Sequence, residues 1–301
     1  MGCPGKEIIT STGNVYVGKG MYKTGGSITV DGVLETGTYI NFTNAGVLTV
    51  NGTVIVNTYL TVKGGVTADS SCEYGFVPRV LVLGSLSVKG GVLTTNSLQL
   101  GSEAKGISGT LTMCNPGTSN AKNLAVTSGT NAKIVLAKGI VNLNNPNTGM
   151  CAFDVRNSAT SNVHIKGGVT FNAAVNYASI VGEWTTGTYN VYIEPGVTLN
   201  GTVSNFTALS NNTKTVYFYD TVTATIDGVE KSVIVATMNP ATATAGYYKY
   251  DAIKAIDFVV DGANYVSTTE TLACGDLGTF TKATYTDDAG TVHTIYYQVI
   301  E

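Results

Sequence analysis

Charge is scarce in this chain: Asp, Glu, Lys and Arg make up 12% of its 301 residues, against about a quarter in an ordinary soluble domain. Arginine is almost missing, with only Arg79 and Arg156 beside 15 lysines, and the net charge is −3. No dense basic stripe is available to neutralise phosphates, which argues against a nucleic-acid partner. No apolar run approaches the roughly 18–20 residues of a membrane-spanning helix, so membrane insertion is not expected. The opening Met1-Gly2-Cys3-Pro4-Gly5-Lys6 lacks the basic start and apolar stretch of a signal peptide. Either export follows another route or a leader has been removed.

Histidine is limited to His164 and His293, and tryptophan to Trp184. Cys3, Cys72, Cys114, Cys151 and Cys274 include no C-x-x-C pair, so no zinc knuckle is indicated. Buried thiols, one or two disulfides and a catalytic thiol all stay open. With an odd count at least one cysteine is unpaired within the monomer, and Cys3 on the N-terminal tail is the candidate for an intermolecular disulfide.

What is abundant is glycine and threonine, at 36 and 45 residues, with 43% hydrophobic residues. That much apolar content at low net charge supports a core and excludes general disorder. The composition shifts near residue 210. Residues 1–210 hold 30 glycines, 12 basic and 9 acidic side chains, whereas 211–301 hold 6 glycines, 5 basic and 11 acidic side chains, and 9 of the 17 tyrosines. The two parts carry +3 and −6. Two differently built domains are expected, 1–210 and 211–301, joined near Asn211 to Lys214.

The first part repeats a phrase, G-x-[IL]-[TS]-V-x-G, at Gly26–Gly32, Gly46–Gly52 and Gly84–Gly90, with a near match at Thr58–Gly64. Apolar and polar residues alternate inside it, the signature of a strand with one buried face. A second phrase, VKGGV, begins at Val62 and again at Val88, 26 residues on, and returns as IKGGV at Ile165. Short strands, glycine corners and a period in the twenties predict a parallel β-solenoid, a β-helix or β-roll with coils of about 26 residues. Lys63 and Lys89 then occupy equivalent corners of adjacent coils, and Asn side chains at the turns stack in hydrogen-bonded ladders. The competing fold is an irregular β-sandwich.

In 211–301, Asp227-Gly228 between alternating runs predicts a hairpin. A second hairpin is expected across Asp287 to Gly290, and a short helix from Asp251 through Ile256. Together they predict an antiparallel β-sandwich that serves as a capping or interaction module. With its G-x-[IL]-[TS]-V-x-G and VKGGV phrases, the chain resembles cell-surface and extracellular-fibre β-solenoid proteins: adhesins, sheath and surface-layer proteins, and phage tail fibres. The resemblance is architectural and transfers no functional residue.

Many β-helix proteins cleave polysaccharides, which takes paired carboxylates or a bound cation. Asp31, Asp69 and Asp154 are the only aspartates before residue 210, and Asp69 and Asp154 fall too many coils apart to pair. The best constellation is Asp154, Arg156, His164 and Glu183, whose plain reading is surface ion pairing. His164 and His293 are each expected to point outward into solvent. Neither a catalytic residue, a cofactor site nor a metal ligand set is expected. Trp184, Tyr189 and Tyr192 form a candidate sugar-stacking platform, and ordinary aromatic packing is its rival. Sequons at Asn41, Asn51, Asn200, Asn205 and Asn211 are candidate glycosylation sites.

The function expected is that of a structural, self-assembling protein of a cell surface, sheath or extracellular filament. Its partner is itself, with cell-surface glycans as a further candidate. The alternatives are a carbohydrate-binding or polysaccharide-degrading β-helix, and a phage or virion fibre.

Overall fold

The structure, a computed structural model, describes residues 5–114, 125–127, 131–144, 154–156, 160–179, 188–208, 214–238, 247–249 and 256–300. Among them the chain is all-β, with a large, mostly parallel sheet followed by antiparallel strands and one 3-10 turn at Gly275–Leu277. No helix among these residues is long and apolar enough to cross a membrane. The helix expected from Asp251 lies almost wholly outside the described residues.

Parallel pairing organises the first part into three ladders, visited in the same order on each round of the chain. The first runs through Gly5–Ile9, Gly26–Val30, Gly46–Val50, Val80–Val82 and Ser97–Leu100. It continues in the first portions of Ala132–Asn144 and Thr160–Ser179, then Thr188–Ile193 and the start of Lys214–Ile226. The second runs through Asn14–Val17, Val33–Thr36, Thr53–Val56, Ser85–Val88 and Gly109–Cys114. It then takes the later portions of the same two long strands and Thr198–Ala208. The third stacks Met21–Lys23, Ile40–Phe42, Tyr59–Val62, Val92–Thr95, Ala125–Thr127 and Asp154–Arg156.

The alternation read from the phrase matches the burial. Ile28, Leu48, Val80, Leu98, Ile134, Val163, Val191 and Val216 pair in succession to form one buried column of the core. Each such side chain is worth up to about 1.5–3 kcal/mol when removed from water, and the polar residues between them point outward. There, Asn142 donates to Thr112 at 3.1 Å, Asn172 to Asn142 at 3.0 Å and Asn200 to Asn172 at 2.9 Å, an amide chain one residue wide. Asparagines do stack, but within strands of the second ladder and not at the turns where they were expected.

The expected 26-residue register is not observed among the described residues. Stacked partners are 20 residues apart at Asp31 and Asn51 but 30 at Asn142 and Asn172. Val62 pairs with Thr95, and Val88 pairs with Val56 and Met113, so Lys63 and Lys89 do not share a corner. VKGGV follows a third-ladder strand at Val62, leads from the second ladder to the third at Val88, and as IKGGV leads from the first to the second at Ile165. The cause is steric, since different corners bring backbones equally close. A Cβ on Gly52 would sit 2.1 Å from the Gly32 carbonyl oxygen, and one on Gly90 1.9 Å from that of Thr58. Both corners therefore require glycine, and a glycine-flanked phrase does not say which corner it occupies.

In the second part the predicted Asp227-Gly228 hairpin forms, both residues at positive φ (53° and 77°), and joins Lys214–Ile226 to Val229–Met238. Pairing passes from there to Val292–Val299, Thr279–Thr286 and Asn264–Ala273. It returns to Lys214–Ile226 where Thr225 meets Asn264 and Ile226 meets Tyr265. These pairings run in a circuit around Ile226, Val233, Val235, Tyr265, Ala283 and Ile295, whereas a sandwich was expected. Lys214–Ile226 serves both parts, extending the first ladder before it enters the circuit. Leu272, Leu277 and Phe280 pack against Tyr192, Tyr217 and Tyr219 on the outside of that ladder.

Candidate functional site at the open edge of the ladders

The first round of the chain, Gly5–Ile9, Asn14–Val17 and Met21–Lys23, is paired on one side only among the described residues. Register with the next round puts Glu7 under Ile28, Ile9 under Val30, Val15 under Leu34, Val17 under Thr36, Met21 under Ile40 and Lys23 under Phe42. Ile9, Val17 and Met21 pack against the core while partly uncovered, and Val15 is exposed. Ile8, Tyr16 and Tyr22 project outward and are exposed. Such an edge offers a row of free N–H and C=O groups to another strand.

Two core columns begin here with a charge. Lys23 Nζ donates to Glu7 Oε1 at 2.7 Å, with the lysine side chain 4% exposed and the glutamate 56%. Inward-pointing charges blunt an edge against indiscriminate pairing. Sequence reasoning missed this pair, because Gly5-Lys-Glu-Ile-Ile departs from the repeated phrase at Glu7, Ile8 and Ile9 and only the register with Gly26–Val30 puts Glu7 at a core position.

The far ends of two ladders are occupied. Lys214–Ile226 pairs antiparallel with Val229–Met238, and Thr198–Ala208 with Tyr247–Lys249. The last described strand of the third ladder is Asp154–Arg156.

The expected constellation is not brought together in the described residues. Asp154 and Arg156 belong to the third ladder and His164 to the first, while Glu183 lies outside the described residues. His164 does point outward, but instead of meeting solvent it stacks on Tyr192 with ring centroids 4.3 Å apart. Its Nε2 lies 3.1 Å from Asp276 Oδ2, and Lys133 Nζ lies 3.6 Å from the same oxygen. Asn162 donates to Asp276 Oδ1 at 3.2 Å, and the Asp276 N–H donates to Tyr192 Oη at 2.9 Å. Burial pushes the His164 imidazole below its usual value, Asp276 opposing and Lys133 and Lys166 reinforcing the shift. The hydrogen bond from His164 holds Asp276 below the usual carboxylate range despite burial. A neutral imidazole thus donates to an ionised carboxylate, and the group fastens the Gly275–Leu277 turn to the first ladder. Asp276 is too distant in sequence for pattern reading to find it.

Of the sugar platform, Tyr192 is 0% exposed, clamped between His164 and Tyr217, and offers no face to a ligand. Trp184 and the Tyr189 side chain lie outside the described residues. Among the sequons Asn51 is exposed, although its amide donates to Asp31 at 2.6 Å. Asn41 is half-buried, and Asn200 is exposed within the amide chain. The Asn205 side chain, Asn211, Cys3, Cys151 and the Cys114 side chain lie outside the described residues. Cys72 and Cys274 are free thiols. Burial and the Asp69 carboxylate push Cys72 up, and burial pushes Cys274 up to about 11, so both are poor nucleophiles.

A half-open cleft of ≈ 390 Å³ lies over Leu81 and Leu83, edged by Cys72, Glu73, Gln99, Ser102 and Lys105. Glu73 accepts from Ser102 at 2.6 Å, Ala104 N–H at 2.8 Å, Tyr74 at 2.9 Å and Gln99 at 3.3 Å. Burial alone would raise its carboxyl, yet the bonds from Ser102, the Ala104 backbone, Tyr74 and the Glu103 backbone hold it below the usual range. An ionised, fully engaged carboxylate is a structural acceptor rather than a general acid. No group of three or more His, Cys, Asp or Glu among the described residues is placed to share a metal ion.

No protein-family model matches this chain, and neither a curated protein nor a solved structure does.

Proposed function

We propose that the three ladders are the faces of one parallel β-solenoid with three strands per coil, and that 211–301 forms a second module continuous with it through the shared strand Lys214–Ile226. On this reading the chain is a structural, self-assembling protein of a cell surface, sheath or extracellular filament, of the adhesin, sheath or fibre type that its phrases resemble. The observation that carries the proposal is the first coil, paired on one side only among the described residues: three neighbouring strand edges, with Ile8, Val15, Tyr16 and Tyr22 exposed around them. The edge N–H and C=O groups gain partners when another copy adds.

The test is sedimentation and electron microscopy of the full chain over a concentration series. Concentration-dependent polymers are expected, and Val15→Lys is expected to shift the population toward monomer. A wild-type chain that stays monomeric at every concentration sinks the reading.

A second reading, carbohydrate binding, draws on Tyr39 and Tyr59, stacked at 5.1 Å beside exposed Tyr22 on the outside of the third ladder. Aromatic side chains on a Thr- and Asn-rich face suit sugar rings. Glycan-array binding that is lost in Tyr22→Ala and Tyr59→Ala is the result this reading requires.

A further inference from the structure

We infer that the open first coil receives the acidic, valine-bearing face of the C-terminal module of a second copy, so that copies join head to tail. This rests on the assembly reading above and adds the identity of the partner surface.

Charge selects the occupant. Residues 5–24 carry Lys6, Lys19, Lys23 and a single acid, Glu7. Lys23 is already met by Glu7, which leaves Lys6 and Lys19, both exposed, without an ion-pair partner among the described residues. Residues 211–301 carry 11 acidic side chains against 5 basic ones. A twofold, head-to-head contact would join two surfaces that each carry three lysines and one glutamate, and like net charges brought into one interface oppose association. A head-to-tail contact sets the same lysines against acids.

Shape and polarity narrow the surface. Val266 pairs with Thr284, and Val292 pairs with Thr286, so two exposed valines flank the end of strand Thr279–Thr286. Asp287 and the exposed Asp288 follow directly. This small apolar area edged by carboxylates matches the open coil, where exposed Ile8, Tyr16 and Tyr22 lie among lysines. An apolar centre with complementary charge at the rim is the usual anatomy of a specific interface. Because the two surfaces differ, each copy keeps one of each free after joining, and the contact propagates unless its rotation closes a ring.

The test uses two surface variants of the full chain, Lys6→Glu with Lys19→Glu, and Val292→Lys with Asp288→Lys. Circular dichroism melts first establish that each folds like the wild type. Each variant alone is expected to stay monomeric, and an equimolar mixture is expected to form a 1:1 dimer and nothing larger, because only one intact head and one intact tail remain. If the Val292/Asp288 variant dimerises by itself, copies meet head to head and the inference falls while the assembly reading stands. If the wild type is monomeric throughout, both fall. Should either variant melt abnormally, carbodiimide cross-linking of mixed light and heavy isotope wild-type copies decides the matter. Inter-copy links from Lys6 or Lys19 to Asp287 or Asp288 support the inference, and inter-copy links confined to Glu7 overturn it.

Discussion

Lys23 reaches Glu7 at 2.7 Å from beneath Phe42, so the positive and negative ends of one ion pair start two separate columns of the core. Removing Glu7 strands a lysine that is 4% exposed. Glu7→Ala is therefore expected to cost about 1–2 kcal/mol in denaturant unfolding, less than a fully enclosed pair because the open edge admits water. Replacing both, Glu7→Ile with Lys23→Leu, is expected to hold or raise stability, since apolar packing matches a buried pair. The same double variant is expected to lose discrimination at the edge and give irregular aggregates by light scattering.

The strands were legible in the sequence and their stacking was not. Alternation in Gly26–Gly32 places Ile28 and Val30 inside, as observed, because a strand needs only its own residues to choose a buried face. Register depends on how much chain lies between one round and the next. The excursion through Thr67 to Val77 separates Leu48 from its partner Val80, and nothing local in Val62 to Val66 announces it. The His164 environment was hidden for a similar reason. Its partner Asp276 is 112 residues away, and nothing in Val163-His164-Ile165 or Gly275-Asp276-Leu277 points from one to the other.

Thr36 interrupts the core between Val17 and Val56, and its Oγ1 is buried without a hydrogen-bond partner. A hydroxyl withdrawn from water and left unpaired is a net cost, and valine has nearly its shape. Thr36→Val is expected to stabilise the chain by about 1 kcal/mol, read as a raised urea midpoint with an unchanged slope. A lowered midpoint would mean that the hydroxyl has a partner in solution.

Two glycines test different constraints. A Cβ on Gly52 would lie 2.1 Å from the Gly32 carbonyl oxygen, a backbone atom fixed by the next ladder rung. A Cβ on Gly228 meets nothing within 4 Å, and only its φ of 77° favours glycine. Gly52→Ala is expected to cost about 3 kcal/mol or more, since stacked backbones must separate. Gly228→Ala is expected to cost about 1 kcal/mol, the ordinary penalty for a side chain in the left-handed region. Equal melting shifts for the two variants would refute the close-approach account of the corners.

Acid should loosen the docked C-terminal segment in two steps, and the sign follows from both titrating groups. Burial disfavours the imidazolium of His164, so its folded value lies below the ordinary 6.5. As pH falls through 6.5 the unfolded chain takes up a proton first, and stability drains until the lower folded value is passed. Asp276 is held below 3.8, first by its bond from His164, so its contribution is complete above 3.8 and disappears as pH falls through the folded value. Lys133 and Lys166 also face the imidazole and oppose its charging. The melting temperature is therefore expected to be lower at about pH 5 than at about pH 7.5, with amide exchange at Gly275 to Gly278 accelerating first. His164→Gln keeps a donor for Asp276 but cannot titrate, so it is expected to flatten the first step and leave the carboxylate step. His293→Gln, on the far hairpin, is expected to leave the exchange at Gly275 to Gly278 as pH-dependent as in the wild type. An unchanged first step in His164→Gln would place the titrating group elsewhere and detach His164 from the clamp.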